Sequence, residues 1–178
     1  ILLNKGKTEE AEASLIESLG IAQDLGDNNL IYKPMLNLGD LFLTLDKPQK
    51  ALEYFNQSSL ISEEENDLYG QAVNMLKKSE ALKMLKRYDE AAKVCQEANK
   101  RAEAIQSLAL TRNSYQILSD IYESSRDFEK ALAYNKLYIA TEDSMMGQIT
   151  TREIAKLESK YEVQEKQREI ERMTKEAS

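Results

Sequence analysis

Ala11, Ala51, Ala91 and Ala131 stand 40 residues apart, inside the similar segments Glu-Ala-Glu-Ala-Ser-Leu, Lys-Ala-Leu-Glu-Tyr-Phe, Glu-Ala-Ala-Lys-Val-Cys and Lys-Ala-Leu-Ala-Tyr-Asn. Self-similarity at such a period restricts a chain to folds that stack one supersecondary unit on the next. Other columns keep the same step. Nine residues before each Ala comes a large apolar residue, Leu2, Phe42, Leu82 and Tyr122, and twelve before comes a small one, Gly39, Ser79 and Ser119. Met35, Met75 and Tyr115 stand sixteen before, and Leu15, Phe55, Cys95 and Asn135 stand four after. Spacings of three, four and seven keep each set on one face of a helix. Small residues at fixed places let two helices approach, and the large ones fill the space beside them.

The composition agrees with a helical unit. Six Gly and two Pro are too few for a turn-rich sheet protein, while charged residues make up 31% and hydrophobic residues 42%. Breaks between paired helices recur at Lys5-Gly6-Lys7, Asp46-Lys47-Pro48, Lys86-Arg87-Tyr88 and Arg126-Asp127-Phe128. Asp46 is placed to cap the helix after it, with Pro48 in its first turn and Gln49 at capping-box spacing. Asp27, Asn28 and Asn29, ahead of Pro34, mark another start. The reading is an all-α chain: a right-handed superhelical stack of antiparallel helix pairs with a long C-terminal helix. A partial first repeat and three helix pairs fill residues 1–143, and residues 144–178 form a capping or linker helix.

These columns resemble the tetratricopeptide repeat (TPR) family, whose signature is a small residue in the leading helix of each pair and Ala in the trailing one. The resemblance covers roughly residues 1–143 with a unit of 40 residues rather than the usual 34 or so. It implies a concave groove lined by the leading helices, and hence protein or peptide binding. The groove positions are then Lys33, Asn37, Asp40 and Thr44 from the first full pair, Lys77, Glu80 and Lys83 from the second, and Asn113, Gln116, Asp120 and Glu123 from the third. Leu36, Leu43, Val73, Leu76 and Met84 are their neighbours. Asp40, Glu80 and Asp120 fall in register as an acidic column. Family members that clamp acidic C-termini place Asn and basic residues there, so a neutral or basic segment suits this chain better than an acidic one.

Residues 144–178 hold seven basic and seven acidic side chains, so the whole net charge of −7 belongs to residues 1–143. An acidic body disfavours nucleic acid and anionic lipid surfaces. Ile154, Leu157 and Tyr161 have coiled-coil spacing, but polar Gln164 and Arg168 follow on the seam, so a homodimer through residues 150–175 is one expectation. Capping is the other. Forty residues after Tyr115, Ser119 and Tyr122 come Ala155, Ser159 and Glu162, which makes the tail a leading helix without a partner, placed to cover the end of the stack near Tyr115, Ile117, Leu118 and Tyr122. Residues 138–144, 154–162 and 166–170 also resemble a junction in TPR sensor regions of Bacteroidetes-type histidine kinases and related transcriptional regulators. That resemblance implies a sensor on the periplasmic side, with a cytoplasmic placement as the alternative, whose membrane span and output domain lie outside this segment.

The chain has no His, one Cys and no Gly-rich phosphate loop. The usual neutral-pH base, the commonest metal ligand and the His-activated nucleophiles are therefore missing, and no metal or cofactor is expected. Cys95 reads as a small buried hydrophobe. The sequence points to a non-catalytic interaction domain, with an assembly adaptor or oligomerisation scaffold as the alternative to a signalling role.

Overall fold

The computed structural model describes residues 2–176. The described residues form seven helices: α1 Leu2–Leu25, α2 Asn28–Thr44, α3 Pro48–Glu64, α4 Leu68–Met84, α5 Tyr88–Ala104, α6 Leu108–Ser124 and α7 Phe128–Glu176. No strand occurs among them. α2 to α6 are each 17 residues long, and a three-residue link follows each one. The 40-residue period is thus two equal halves. α2, α4 and α6 lead their pairs; α3, α5 and the start of α7 trail. α1 has the trailing phase.

Every link closes in the same way. Asp46, Asn66, Lys86, Gln106 and Arg126 all adopt positive φ, between 52° and 66°, as does Gly26 at 64°. The amide after each of the five returns to the carbonyl five residues back, as in Lys47 N to Phe42 O at 2.8 Å and Arg87 N to Leu82 O at 3.0 Å. The left-handed residue's own amide bonds three back, as in Lys86 N to Lys83 O at 2.9 Å. These are Schellman turns, which satisfy the last carbonyls of each helix.

Asp46 therefore does not cap α3. It is the left-handed residue, and Lys47 takes the N-cap position without a side-chain bond, while Pro48 sits in the first turn as anticipated. Side-chain caps occur elsewhere: Asp67 accepts from Gly70 N at 3.0 Å, Ser107 from Leu110 N at 3.5 Å, and Asp127 from Lys130 N at 3.3 Å. A left-handed non-Gly residue costs about 1–2 kcal/mol, and Gly loses roughly 0.5–1 kcal/mol of that advantage to backbone entropy. Lys86→Gly is therefore expected to stabilise the protein by about 0.5–1 kcal/mol, read from urea unfolding.

The columns are the packing surface. Ala51, Ala91, Phe55 and Cys95 are fully buried, and the core runs through Met35, Leu38, Phe42, Leu76, Leu82, Ile117, Leu118 and Ile121. A Cβ on Gly39 would overlap the Phe55 ring, and Ser119 Oγ donates to the Ala131 carbonyl at 3.0 Å. Both contacts join the small column of a leading helix directly to its partner. Phe42 stacks on Tyr54 at 5.5 Å and Tyr122 on Tyr134 at 5.6 Å, with Lys50 and Lys130 over the first ring of each pair. The first and third pairs thus repeat one arrangement. Cys95 is free, donates to the Ser114 carbonyl at 3.4 Å, and burial pushes its thiol to about 12. It behaves as core.

Two expectations need correction. Lys5-Gly6-Lys7 is not a break, since α1 runs through it. Glu142–Gly147 does not interrupt the helix either: α7 continues from Phe128 to Glu176, so the tail is an extension of the last trailing helix rather than a separate one. Helix formers flank Gly147, and one Gly costs only about 1 kcal/mol. Ile117 and Leu118 are buried within the core, and Tyr134 lies against both Tyr115 and Tyr122. The side chains of Leu2, Ile154, Leu157 and Tyr161, the last three carrying the coiled-coil spacing, lie outside the described residues. The chain separates into two compact units, 1–138 and 139–178.

Candidate functional site

The leading helices α2, α4 and α6 lie side by side in unit 1, joined by ion pairs. Lys77 Nζ on α4 reaches Asp40 Oδ1 on α2 at 2.9 Å and Glu80 Oε2 on its own helix at 3.7 Å. Lys83 Nζ on α4 reaches Asp120 Oδ2 on α6 at 3.6 Å. The three acids share a column, as the repeat phase requires, but two lysines occupy the gaps between them. Each acid of the column thereby has a lysine partner, two cations serving three carboxylates. Such half-exposed pairs contribute roughly 0.2–1 kcal/mol each, so their main effect is to fix the charge pattern of the face.

Burial pulls the Lys77 pKa down, but the hydrogen bond to Asp40 and the charges of Glu80 and Asp40 outweigh it and leave it raised. Burial likewise raises Glu80, against the opposing charges of Lys77 and Lys83. A carboxyl raised in the folded state binds its proton more readily folded than unfolded. Its contribution to stability therefore grows as pH falls from neutral into the ordinary carboxylate range, the reverse of a group whose pKa is depressed. Glu80→Gln is expected to lose no stability at neutral pH, and the wild type should gain on this variant as pH falls. Urea unfolding of both proteins at several pH values checks this.

An open cleft of about 370 Å³ lies between α4 and α6. Tyr69, Val73, Leu76, Leu110 and Ile117 give it an apolar floor, and Lys77, Glu80, Asn113, Gln116 and Asp120 give it polar walls. A second cleft of about 770 Å³ is lined by Leu15, Leu30, Tyr32, Lys33, Asn37, Ile61 and Tyr69, among others. Tyr69 lines both. Of the positions drawn from the sequence, five thus meet in one cleft, and Lys33 and Asn37 meet in the other. Asp40 and Lys83 adjoin the first cleft through their ion pairs. Thr44 donates its hydroxyl to the Asp40 carbonyl at 3.0 Å, and neither it nor Glu123 lines either of these two clefts.

Tyr32 and Tyr69 did not figure in the sequence reading. Both sit near the starts of leading helices, outside the repeating columns. Tyr32 donates to the Gly70 carbonyl at 3.2 Å, and burial, with the nearby Asp67 and Tyr69, raises its hydroxyl to about 12. The one detectable signal was Gly70: a Cβ there would press on Asp67 and Tyr32. Among the described residues no group of three or more His, Cys, Asp or Glu could hold a metal ion. No helix among them is long and apolar enough to cross a membrane.

The fold and its leading-helix face define a helical-repeat scaffold of the TPR solenoid type. The tetratricopeptide repeat family model matches residues 1–64. Among solved structures, the TPR domain of Arabidopsis FLU is similar with a TM-score of 0.61 and 20% identity, covering 66% of this chain and 98% of that one. BtubC (BKLC) from P. vanneervenii is similar with a TM-score of 0.70 and 22% identity, covering 80% of this chain and 58% of that one. No curated protein matches the chain.

Proposed function

We propose that the face formed by α2, α4 and α6 binds a segment of another protein, and that the chain is a non-catalytic interaction module. The observation that carries this reading is the cleft between α4 and α6, an apolar floor edged by the carboxamides of Asn113 and Gln116. Carboxamides can donate to and accept from a peptide backbone, while the floor takes an apolar side chain. Because Asp40, Glu80 and Asp120 already have lysine partners, the favoured ligand is a neutral segment; a basic one would have to displace Lys77 or Lys83, and an acidic one would meet four carboxylates once Glu123 is counted.

Within this reading the chain serves as the sensory or interaction region of a bacterial signalling protein, supported by the kinase-like and regulator-like junction in residues 138–170. An assembly adaptor is the alternative. A membrane span and an output domain in the same gene would favour the first, and their absence from it the second.

Selection of a random peptide library on the immobilised protein tests the binding face. Peptides enriched on the wild type should bind Val73→Glu at least tenfold more weakly and bind Lys93→Glu, a change on exposed α5 surface, as before. Equal loss on both variants, or on neither, would place recognition elsewhere.

A further inference from the structure

The left-handed turn recurs at Gly26, Asp46, Asn66, Lys86, Gln106 and Arg126, and the next place in that register is Met146. There α7 continues as helix, so among the described residues its trailing segment is followed by no folded-back leading helix. The exposed surface reflects this. Leu52 and Ala92, at equivalent places in α3 and α5, are 9% and 6% exposed, whereas Leu132 is 57% exposed. Ser59 is 9% exposed, and its equivalent Ile139 is 49% exposed. In α3 this face meets α4, where Asn74 Nδ2 donates to Ser62 Oγ at 3.2 Å and Gln71 Nε2 to the Ser62 carbonyl at 3.0 Å. In α5 it meets α6, through Cys95 and Ser114.

Residues 148–164 carry the register of a leading helix. Ser159 falls in the column of Gly39, Ser79 and Ser119, and Thr151, Ile154 and Ala155 fall where α4 has Gln71, Asn74 and Met75. Those are the places at which a leading helix meets the trailing helix before it. Glu162 falls where Phe42 and Tyr122 stack on their own partners, and α7 passes residue 166 without turning to supply such a partner. A segment with this pattern is suited to cover a trailing helix while keeping its other side polar. A continuous helix cannot cover its own face, and a second copy of this chain carries a segment with the matching register.

We propose that residues 148–164 of one copy dock on the Leu132–Ile139 face of a second, reciprocally, in a closed two-fold dimer of antiparallel α7 helices. Leading and trailing helices of this chain pack antiparallel about their turn, so the same register places the two-fold axis at Met146–Gly147. A Cβ at Gly147 would meet nothing within 4 Å, which leaves room for the crossing. The arrangement is an exchange of identical elements, which costs little because it reuses contacts the repeat already makes.

Sedimentation equilibrium of the whole chain tests this. The wild type should be a dimer, and Leu132→Lys, at an exposed position, should weaken it at least tenfold with unchanged helix content. Met146→Gly together with Gly147→Asp, which copies the Gly26–Asp27 turn, should yield a monomer by letting the segment fold back. A monomeric wild type overturns the proposal. So does a dimer that resists Leu132→Lys, or one that persists in the turn-restoring variant.

Discussion

Phe55→Ala is expected to lower the unfolding free energy by about 3–5 kcal/mol. Phe55 is fully buried and lies against the backbone of Gly39, so truncation leaves a cavity where two helices meet. The reciprocal change is more diagnostic. By helix propensity alone, Gly39→Ala should stabilise α2 by about 1 kcal/mol. Here the new methyl would enter the Phe55 ring, and the variant should instead lose about 1–3 kcal/mol. Combining Gly39→Ala with Phe55→Leu should recover part of that loss, a coupling that appears only between touching residues. Equilibrium urea unfolding of the three variants measures it, and a Gly39→Ala protein more stable than the parent would contradict the packing described.

Ala91→Leu should cost about 1–3 kcal/mol by overpacking, and Ala51→Leu the same. Both alanines are fully buried, at the place where Ala131 takes the hydroxyl of Ser119 onto its carbonyl. Ala11 supplies the control. It belongs to the same sequence column but is exposed on α1, so Ala11→Leu should change the melting temperature little. If all three substitutions behave alike, burial by a paired helix is not what selects Ala in this column.

The helix pairs were legible because their spacing is enforced by contacts between side chains of fixed size: Gly39 against Phe55, Ser119 against Ala131. The half-period of 20 residues was not. A Schellman turn is made of backbone bonds, and the residues that adopt its positive φ are as different as Asp46, Lys86 and Arg126, so no side-chain pattern marks it. For the same reason Asp46 looked like a cap, and Met146-Gly147 looked like a break although the chain runs through it as helix. At the candidate site, helical phase put Asp40, Glu80 and Asp120 on one face. The pairing of Asp40 with Lys77 and of Asp120 with Lys83 depends on the lateral distance between neighbouring helices, which no position within one helix encodes. Tyr32 and Tyr69 escaped because each occurs once, outside the repeating columns.

The most direct test of the binding face is to follow the backbone amide resonances of the protein while a library-selected peptide is titrated in. The largest shifts should fall on α2, α4 and α6, centred on Val73, Asn113 and Gln116, with α3 and α5 almost still. Shifts centred instead on the outward surfaces of α3 and α5, around Lys93 and Gln57, would contradict the account.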